Sequence, residues 1–588
     1  MTAENIAAEN MTAENIAAEN MAAENMAAEN IAAENIAAEN MTAENMAAEE
    51  MISKGEETQD PDKETAETGK ETAAAGKGIA NADKKTAAAE QNTAAAGKGI
   101  VNADKKTAAT EQETAATEQN TADAEQNTAD AEQIKKDRRI YVLSEEKPVK
   151  AVIQLGVPLI AGMFIMVFYN IVDTFFIGLM RDDYQLAAVN LAYPVMMISI
   201  AISNMVGTGA SSLIARSLGA KRMDTACRTL TAGFELTVVN SLAVTCAGMA
   251  FLPAIVKGLG AQSNTFLYTE QYTRIIILGS LFTMGNYTSG QLLRSEGSVK
   301  YSVLGMIAGT LVNIILDPVF IFGLGLGIRG AAVATILGNA AGMFISLWLY
   351  AGGKTLLSPS LRFLKPEGKI LGEIYWVGIP ASLETLLTSA AYIVNNNLAV
   401  GYGELTVAAM GIAQKILSLG SYIYQGFAAG TQPLMGYNYG AGNYKRMKEV
   451  LRAGILVVSG TELCVMAFCG LAAPQLIGIF TDSLEVIATG SRVLRTIMCI
   501  LPFVGAVSMS RMSFQAMGKP QYAFVITLVR QLVLYVPLLL LLNRIFGFGG
   551  MIWAQPVTEM IMMAVSVSLL LGMITREDRR RQREERTV

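Results

Sequence analysis

The sequence predicts an all-α integral membrane protein of twelve transmembrane helices in two six-helix lobes, preceded by a low-complexity N-terminal tail. Three observations carry this. From about residue 151 to 575, apolar runs of 20 or more residues with few internal charges follow one another, and runs of that length read as membrane-spanning helices. Lys and Arg concentrate in alternate connections between those runs, the bias that orients helices in a bilayer. The apolar part also matches itself at a nearly constant offset, so one six-helix unit occurs twice. The mean hydropathy of +0.34 over 588 residues averages this part with a polar N-terminal region.

Residues 1–50 are ten pentads of the form Met/Ile-Ala/Thr-Ala-Glu-Asn, the last ending Glu-Glu. A five-residue step rotates about 140° on a helix, so the Met/Ile positions wander over every face and no apolar seam forms. The stretch 72–92 recurs almost unchanged at 93–113, and heptads follow to 134 with only Ala and Thr as small recurring residues. Disorder or fluctuating helix is expected for 1–134, with a weak self-associating helix as the alternative. The start lacks the charged and apolar regions of a signal peptide.

The expected spans are 151–179, 186–208, 226–250, 272–292, 300–323, 329–350, 371–400, 404–428, 446–472, 489–512, 521–543 and 549–575. They divide the chain into an N-lobe (135–353), a linker (354–370), a C-lobe (371–575) and a basic tail (576–588). Connections on one side carry Arg216, Lys221, Arg222, Arg228, Arg294, Lys300, Lys354, Arg362, Lys365, Lys369, Lys445, Arg446, Lys448, Arg452, Arg511 and Lys519. The other side has fewer. Both termini are therefore expected in the cytoplasm of a plasma-membrane protein, which requires an even number of spans.

The duplication is visible residue by residue. Gly156-Val-Pro158 matches Gly378-Ile-Pro380. Gly209-Ala-Ser-Ser-Leu-Ile-Ala-Arg-Ser-Leu-Gly219-Ala220 matches Gly430-Thr-Gln-Pro-Leu-Met-Gly-Tyr-Asn-Tyr-Gly440-Ala441. Ala232-Gly233 matches Ala453-Gly454, and Gly297 and Tyr301 match Gly518 and Tyr522. Six spans per repeat make the halves parallel, with a pathway expected between them.

Within the fifth span lies Asn313-Ile-Ile-Leu-Asp317-Pro318. An Asp there costs about 2.5–3.5 kcal/mol on insertion scales, so it marks a functional site by default. Asn313 and Asp317 are four apart and share a helix face. Pro318 cannot donate to the Ile314 carbonyl and leaves a free acceptor nearby. A carboxylate, an amide oxygen and a carbonyl suit a small hard cation or a proton; a structural Asp at a kink is the alternative. The chain has no His, so any proton coupling must run through buried carboxylates. Five scattered Cys with no CxxC pair support neither a disulfide framework nor a zinc site.

The residues Asn170-Ile-Val-Asp173-Thr, the glycine-bounded stretch within 207–220, the Asn313–Gly323 stretch and the repeat together resemble the multidrug and toxic compound extrusion (MATE) family. The resemblance covers about 150–575. It implies a branch that couples export to Na⁺ or H⁺ through an N-lobe site, which falls on Asp173, Asn313, Asp317 and Thr335. Independently, Asp173 and Asp317 each lie six residues before the outer end of a span, and Thr335 lies six after an outer start. All three then sit roughly 9 Å below the outer surface.

Glu384 and Lys415 fall near mid-membrane in adjacent spans and are expected to pair, as a structural ion pair or a substrate contact. Arg530 and Glu559 share a depth and are expected to form a structural pair. Glu235 and Glu462 have no assignment. The resemblance also brings in a NorM-type branch that uses a Glu of the seventh helix and an Asp of the tenth; 489–512 contains no Asp and Glu384 is about a turn too early, so a second coupling site in the C-lobe is not expected. The expected function is a secondary antiporter exporting amphipathic organic cations against H⁺ or Na⁺. The alternative is a lipid or lipid-linked oligosaccharide flippase of the same superfamily. No enzyme activity, organic cofactor or nucleic-acid partner is expected: Gly353-Lys354-Thr355 lacks the Gly five places earlier that a P-loop needs. A monomer in contact with membrane lipid is the expected state.

Overall fold

The computed structural model describes residues 136, 138–180, 182–365 and 367–587; the expectations for the repeats of 1–134 lie outside them. The described residues form helices and no strand. Helix α1 is Pro148–Leu179, α2 Asp183–Gly219 and α3 Met223–Ala250. Helix α4 is the pair Ser263–Leu278 and Ser280–Ser295, α5 is Val299–Pro318 continued by Val319–Gly323, and α6 is Ile328–Ala351. In the second half, α7 is Gly368–Val400, α8 Glu404–Ala441, α9 Tyr444–Leu471, and α10 the pair Leu484–Met498 and Leu501–Ala516. Helix α11 begins at Pro520 and runs into the long helix Val536–Thr587, which breaks at Gly547 (φ 58°, ψ −141°); α12 is the part beyond. These are the twelve helices of two lobes, α1–α6 and α7–α12.

Seven of the described helical stretches are by themselves long and apolar enough to cross a membrane, and the bent α10 pair makes an eighth. One of the seven, Pro520–Arg586, contains both α11 and α12. Helices α4, α7 and α8 fall short because of what they carry inside: Arg274, Asn286 and Gln291; Glu384 and Asn395–Asn397; Gln414, Lys415 and Gln425. Their polar residues are what the function has to explain. Along α9, Leu456 and Phe468 are 73% and 65% exposed, as side chains that face lipid are.

The duplication extends to backbone geometry. The break in α4 at Gly279 recurs in α10 at Cys499–Ile500, and the short helix Leu252–Gly258 recurs as Ala473–Gly478. Left-handed residues recur too: Lys221 (φ 58°) and Gly442 (φ 68°), Gly297 (φ 82°) and Gly518 (φ 71°), Gly327 (φ 55°) and Gly547 (φ 58°). Each pair keeps the sequence offset to within a residue. Two copies of one fold therefore turn corners at the same places.

Helices α2 and α8 continue about three to three and a half turns past their expected ends, so the repeated glycine stretch is helix and not loop. Its glycines make the seam between the lobes. A Cβ on Gly209 would stand 2.1 Å from the Ile374 carbonyl oxygen of α7, and one on Gly378 1.9 Å from that of Met205. A Cβ on Gly219 would stand 1.8 Å from the Tyr437 oxygen, and one on Gly440 1.9 Å from the Arg216 oxygen. Only glycine permits such backbone approach. Arg216, expected in a loop, is on this helix and pairs with Glu373 of α7 at 3.3 Å. Beneath the seam, Val152, Leu155 and Leu159 of α1 share an apolar core with Phe427 and Met435 of α8 and Leu451 of α9. The lobes are thus packed together at the end that holds the basic residues, called here the basic end.

Candidate functional site

Helix α5 buries Val299, Ser302, Gly305, Gly309, Asn313 and Asp317 on one face, the three- and four-residue spacing of a helix stripe. That face meets α6 through glycine. A Cβ on Gly309 would lie 2.7 Å from the Gly338 oxygen, and one on Gly338 2.7 Å from the Gly309 oxygen and 2.9 Å from the Asn313 Cβ. The absence of side chains at 309 and 338 lets Asn313 reach across to α6 one turn away. Past Asp317, Pro318 has no N–H to give, and the chain relaxes into the wider π-helical turn Val319–Gly323.

The four residues that sequence and resemblance selected come together. Asp317 is 0% exposed, Asn313 3% and Thr335 7%. With the Asn313 amide oriented to satisfy both its ends, Nδ2 donates to Asp317 Oδ2 (3.1 Å) and Oδ1 accepts from the Thr335 N–H (3.1 Å). The Thr335 hydroxyl donates to the Ala331 carbonyl (3.0 Å). Asp173 approaches from α1, its carboxyl group within hydrogen-bonding reach of that of Asp317. Its Oδ1 is buried with no partner among the described residues.

Two residues the sequence reading missed complete the surroundings. Tyr169, one turn before Asp173, and Tyr272 of α4 both reach toward Thr335 and the carboxyl groups. The i, i+4 spacing from Asp173 could have indicated Tyr169; nothing local distinguishes Tyr272 from the other tyrosines. An open cavity of about 330 Å³ lies between the lobes, lined by Val167, Ile171 and Thr174 of α1 and Tyr422 of α8, on a different stripe of α1 from Asp173. Two acids in contact make a place for one positive charge, a shared proton or a cation. No third His, Cys, Asp or Glu joins them in a metal-binding group among the described residues.

The C-lobe is built differently at the matching positions. The offset carries Asn313 and Asp317 onto Leu534 and Leu538, which cannot hold an ion. It carries Gly309 onto Arg530, whose Nη1 donates to Glu559 Oε1 of α12 at 3.0 Å, with Glu559 buried. The expected pairing of Glu384 with Lys415 is corrected. Glu384 is engaged by Arg511 and accepts from the Thr527 hydroxyl (2.9 Å), while Lys415 is exposed on α8. Arg511 had been assigned to a connection, but the second α10 segment runs through it to Ala516 and turns it inward. Glu462 is 0% exposed, with neither carboxyl oxygen partnered among the described residues. Glu235 is half-buried with one such oxygen.

Comparison with known proteins agrees with this architecture. The MatE family model matches twice, over residues 158–319 and 380–541, which repeats the internal duplication. The multidrug export protein MepA of Staphylococcus aureus (strain NCTC 8325 / PS 47) is 28% identical over 426 residues, covering 72% of this chain and 94% of that protein. A multidrug resistance MATE family transporter of the MOP superfamily, solved in an outward-facing conformation, superposes with a TM-score of 0.70 at 30% identity, over 74% of this chain and 98% of its own. A MOP superfamily transporter from Pyrococcus furiosus, described as having a binding pocket of reversed polarity, superposes with a TM-score of 0.70 at 29% identity, again over 74% and 98%. With more than half its length matched by the family model, the chain belongs to the MatE family of multi-pass membrane transporters.

Proposed function

We propose that the protein is a secondary active antiporter that exports amphipathic, mostly cationic organic compounds in exchange for H⁺ or Na⁺. The observation that carries this is the meeting of Asp173 and Asp317 with Asn313 and Thr335 inside one lobe of a two-lobed fold. An ion arriving at the acid pair neutralises it and lowers its attraction for a cationic substrate nearby. Release of the ion restores that attraction. The ion can shift the lobes only if it binds one arrangement better than the other, and the unpartnered Asp173 oxygen supplies a group whose satisfaction can differ between them. The multidrug export named for the MepA relative supports the substrate class. In this reading the chain lies in the plasma membrane as a monomer, the basic end and both termini face the cytoplasm, and the lobes, linker and tail run 135–353, 371–575, 354–370 and 576–588.

A flippase for a lipid-linked oligosaccharide would need unpaired cations for a pyrophosphate. Arg511 and Arg530 are each engaged by a glutamate, which supports the cation exporter instead. Transport into sealed vesicles with the pH and Na⁺ gradients imposed separately tests the proposal. Substrate movement driven by one gradient and lost in Asp317→Asn is the expected result; movement that ignores both gradients would overturn it.

A further inference from the structure

At the basic end a short segment precedes α1 and straddles both lobes. Residues 138–144 are helical, and Leu143 and Val142 are 0% and 5% exposed. Toward the C-lobe, Asn438 Nδ2 donates to the Leu143 carbonyl (2.9 Å) and Arg446 Nη2 to the Glu146 carbonyl (2.7 Å). Toward the N-lobe, Arg139 Nη2 donates to the Lys354 carbonyl of the linker (2.8 Å). The Arg139 guanidinium also stacks 4.9 Å from the Tyr301 ring. Separation of the lobes at this end must break one of these grips.

Glu296 lies beneath this junction, in the turn between α4 and α5 and outside the membrane-spanning helices. It is 0% exposed. Its Oε2 accepts the Leu357 N–H of the linker (2.9 Å), and Oε1 has no partner among the described residues. Arg139 Nη1, Ser298 Oγ and the Tyr350 hydroxyl are also buried without partners. The charged or titratable groups that face Glu296 are Arg139 from the terminal segment, Tyr350 from α6 and Cys227 from α3. One cation stands against a fully buried carboxylate whose Oε1 has no partner among the described residues, a poor match for an ionised buried acid.

We propose that Glu296 is a proton-binding site that reads the pH at the basic end and sets whether the terminal segment and linker stay seated across the two lobes. Protonated, Glu296 is neutral and the junction stays closed. Ionised, it is drawn toward water, and the linker and Arg139 come away with it. Burial raises its pKa from the usual 4.5 to about 7, offset in part by hydrogen bonds and by Arg139. The sign follows: a raised acid favours the closed junction while protonated, and that contribution is lost as pH rises from the ordinary carboxylate range through about 7. Alkalinity at this end therefore frees the lobes to part there.

The test is hydrogen–deuterium exchange on the full chain in lipid nanodiscs at pH 6 and pH 8, corrected for the intrinsic pH dependence of exchange. It reads the junction and not transport, so it stands or fails separately from the coupling site. Peptides covering 138–146 and 354–358 should lose about tenfold in protection between the two pH values, while Glu296→Gln stays at the pH 6 level throughout. Glu296→Ser, also neutral at both pH values, serves if the Gln variant does not assemble, with the same flat profile expected. Unchanged protection in the wild type, or an equal loss in either variant, overturns the proposal.

Discussion

At the scale of single residues, the acid pair and the C-lobe ion pairs make opposite demands on substitution. Asparagine is nearly isosteric with aspartate and cannot ionise, so Asp317→Asn should preserve the fold, keeping the Asn313 contact, and abolish gradient-driven efflux of a fluorescent cation. Efflux at the wild-type rate per folded protein would return Asp317 to a structural role. Glu384→Gln should instead act on stability, because it leaves Arg511 without its anion. Breaking a buried pair costs about 3–5 kcal/mol, and the partial exposure of Arg511 (25%) places this case at the lower end. Lys415→Met should leave the melting temperature unchanged, since Lys415 is not the partner; an equal loss in both variants would restore the Glu384–Lys415 pairing. The Asn313–Asp317 relation was legible in the sequence because both residues lie on one helix. The Arg511 contact was not, because it joins helices 127 residues apart and depends on how far α10 runs inward.

At the scale of elements, the α5–α6 contact positions the proposed ion site. A methyl group at Gly338 would meet the Gly309 oxygen at 2.7 Å and the Asn313 Cβ at 2.9 Å, and one of these is backbone that cannot rotate away. Gly338→Ala should force the helices apart, destabilise the protein by about 1–3 kcal/mol and weaken ion dependence, although residue 338 touches no ion ligand's polar atoms. Thermal unfolding in detergent with and without Na⁺ checks both effects; an unshifted midpoint would show that α5 and α6 have slack. Helix existence was read well from apolar runs, and the common depth of Asp173, Asp317 and Thr335 followed from counting along them. The ends were read less well. Helices α2 and α8 outlast their apolar runs because glycine and serine pack against another backbone there, where hydropathy carries no signal.

At the scale of the whole molecule, the duplication was legible from a constant offset, yet the two halves differ in use. On α5 the first keeps Gly309, Asn313 and Asp317; on α11 the second has Arg530, paired with Glu559, and leucines at 534 and 538. Removing residues 1–130 should leave efflux intact, since the segment 138–146 that bridges the lobes is retained. Removal through residue 146 should raise exchange at the basic end by exposing the Arg446 and Asn438 sites. Loss of transport in the shorter truncation, with normal insertion, would show that the repeats are not a passive tail.

In the proposed antiporter the glycine seam is also a mechanical end stop. Where side chains meet, closure is cushioned by rotamers that can turn aside; where Gly219 meets the Tyr437 oxygen and Gly440 the Arg216 oxygen, backbone meets backbone and travel ends abruptly. The angle through which the lobes can swing is then limited by atoms that no rotamer change can move, and the two stops act in parallel on opposite sides of the pseudo-twofold axis. A single methyl group at Gly440 would wedge one side only. Spin labels across the basic end should report a tilted, incompletely closed state in Gly440→Ala, and a distance distribution identical to wild type would show that the stop lies elsewhere.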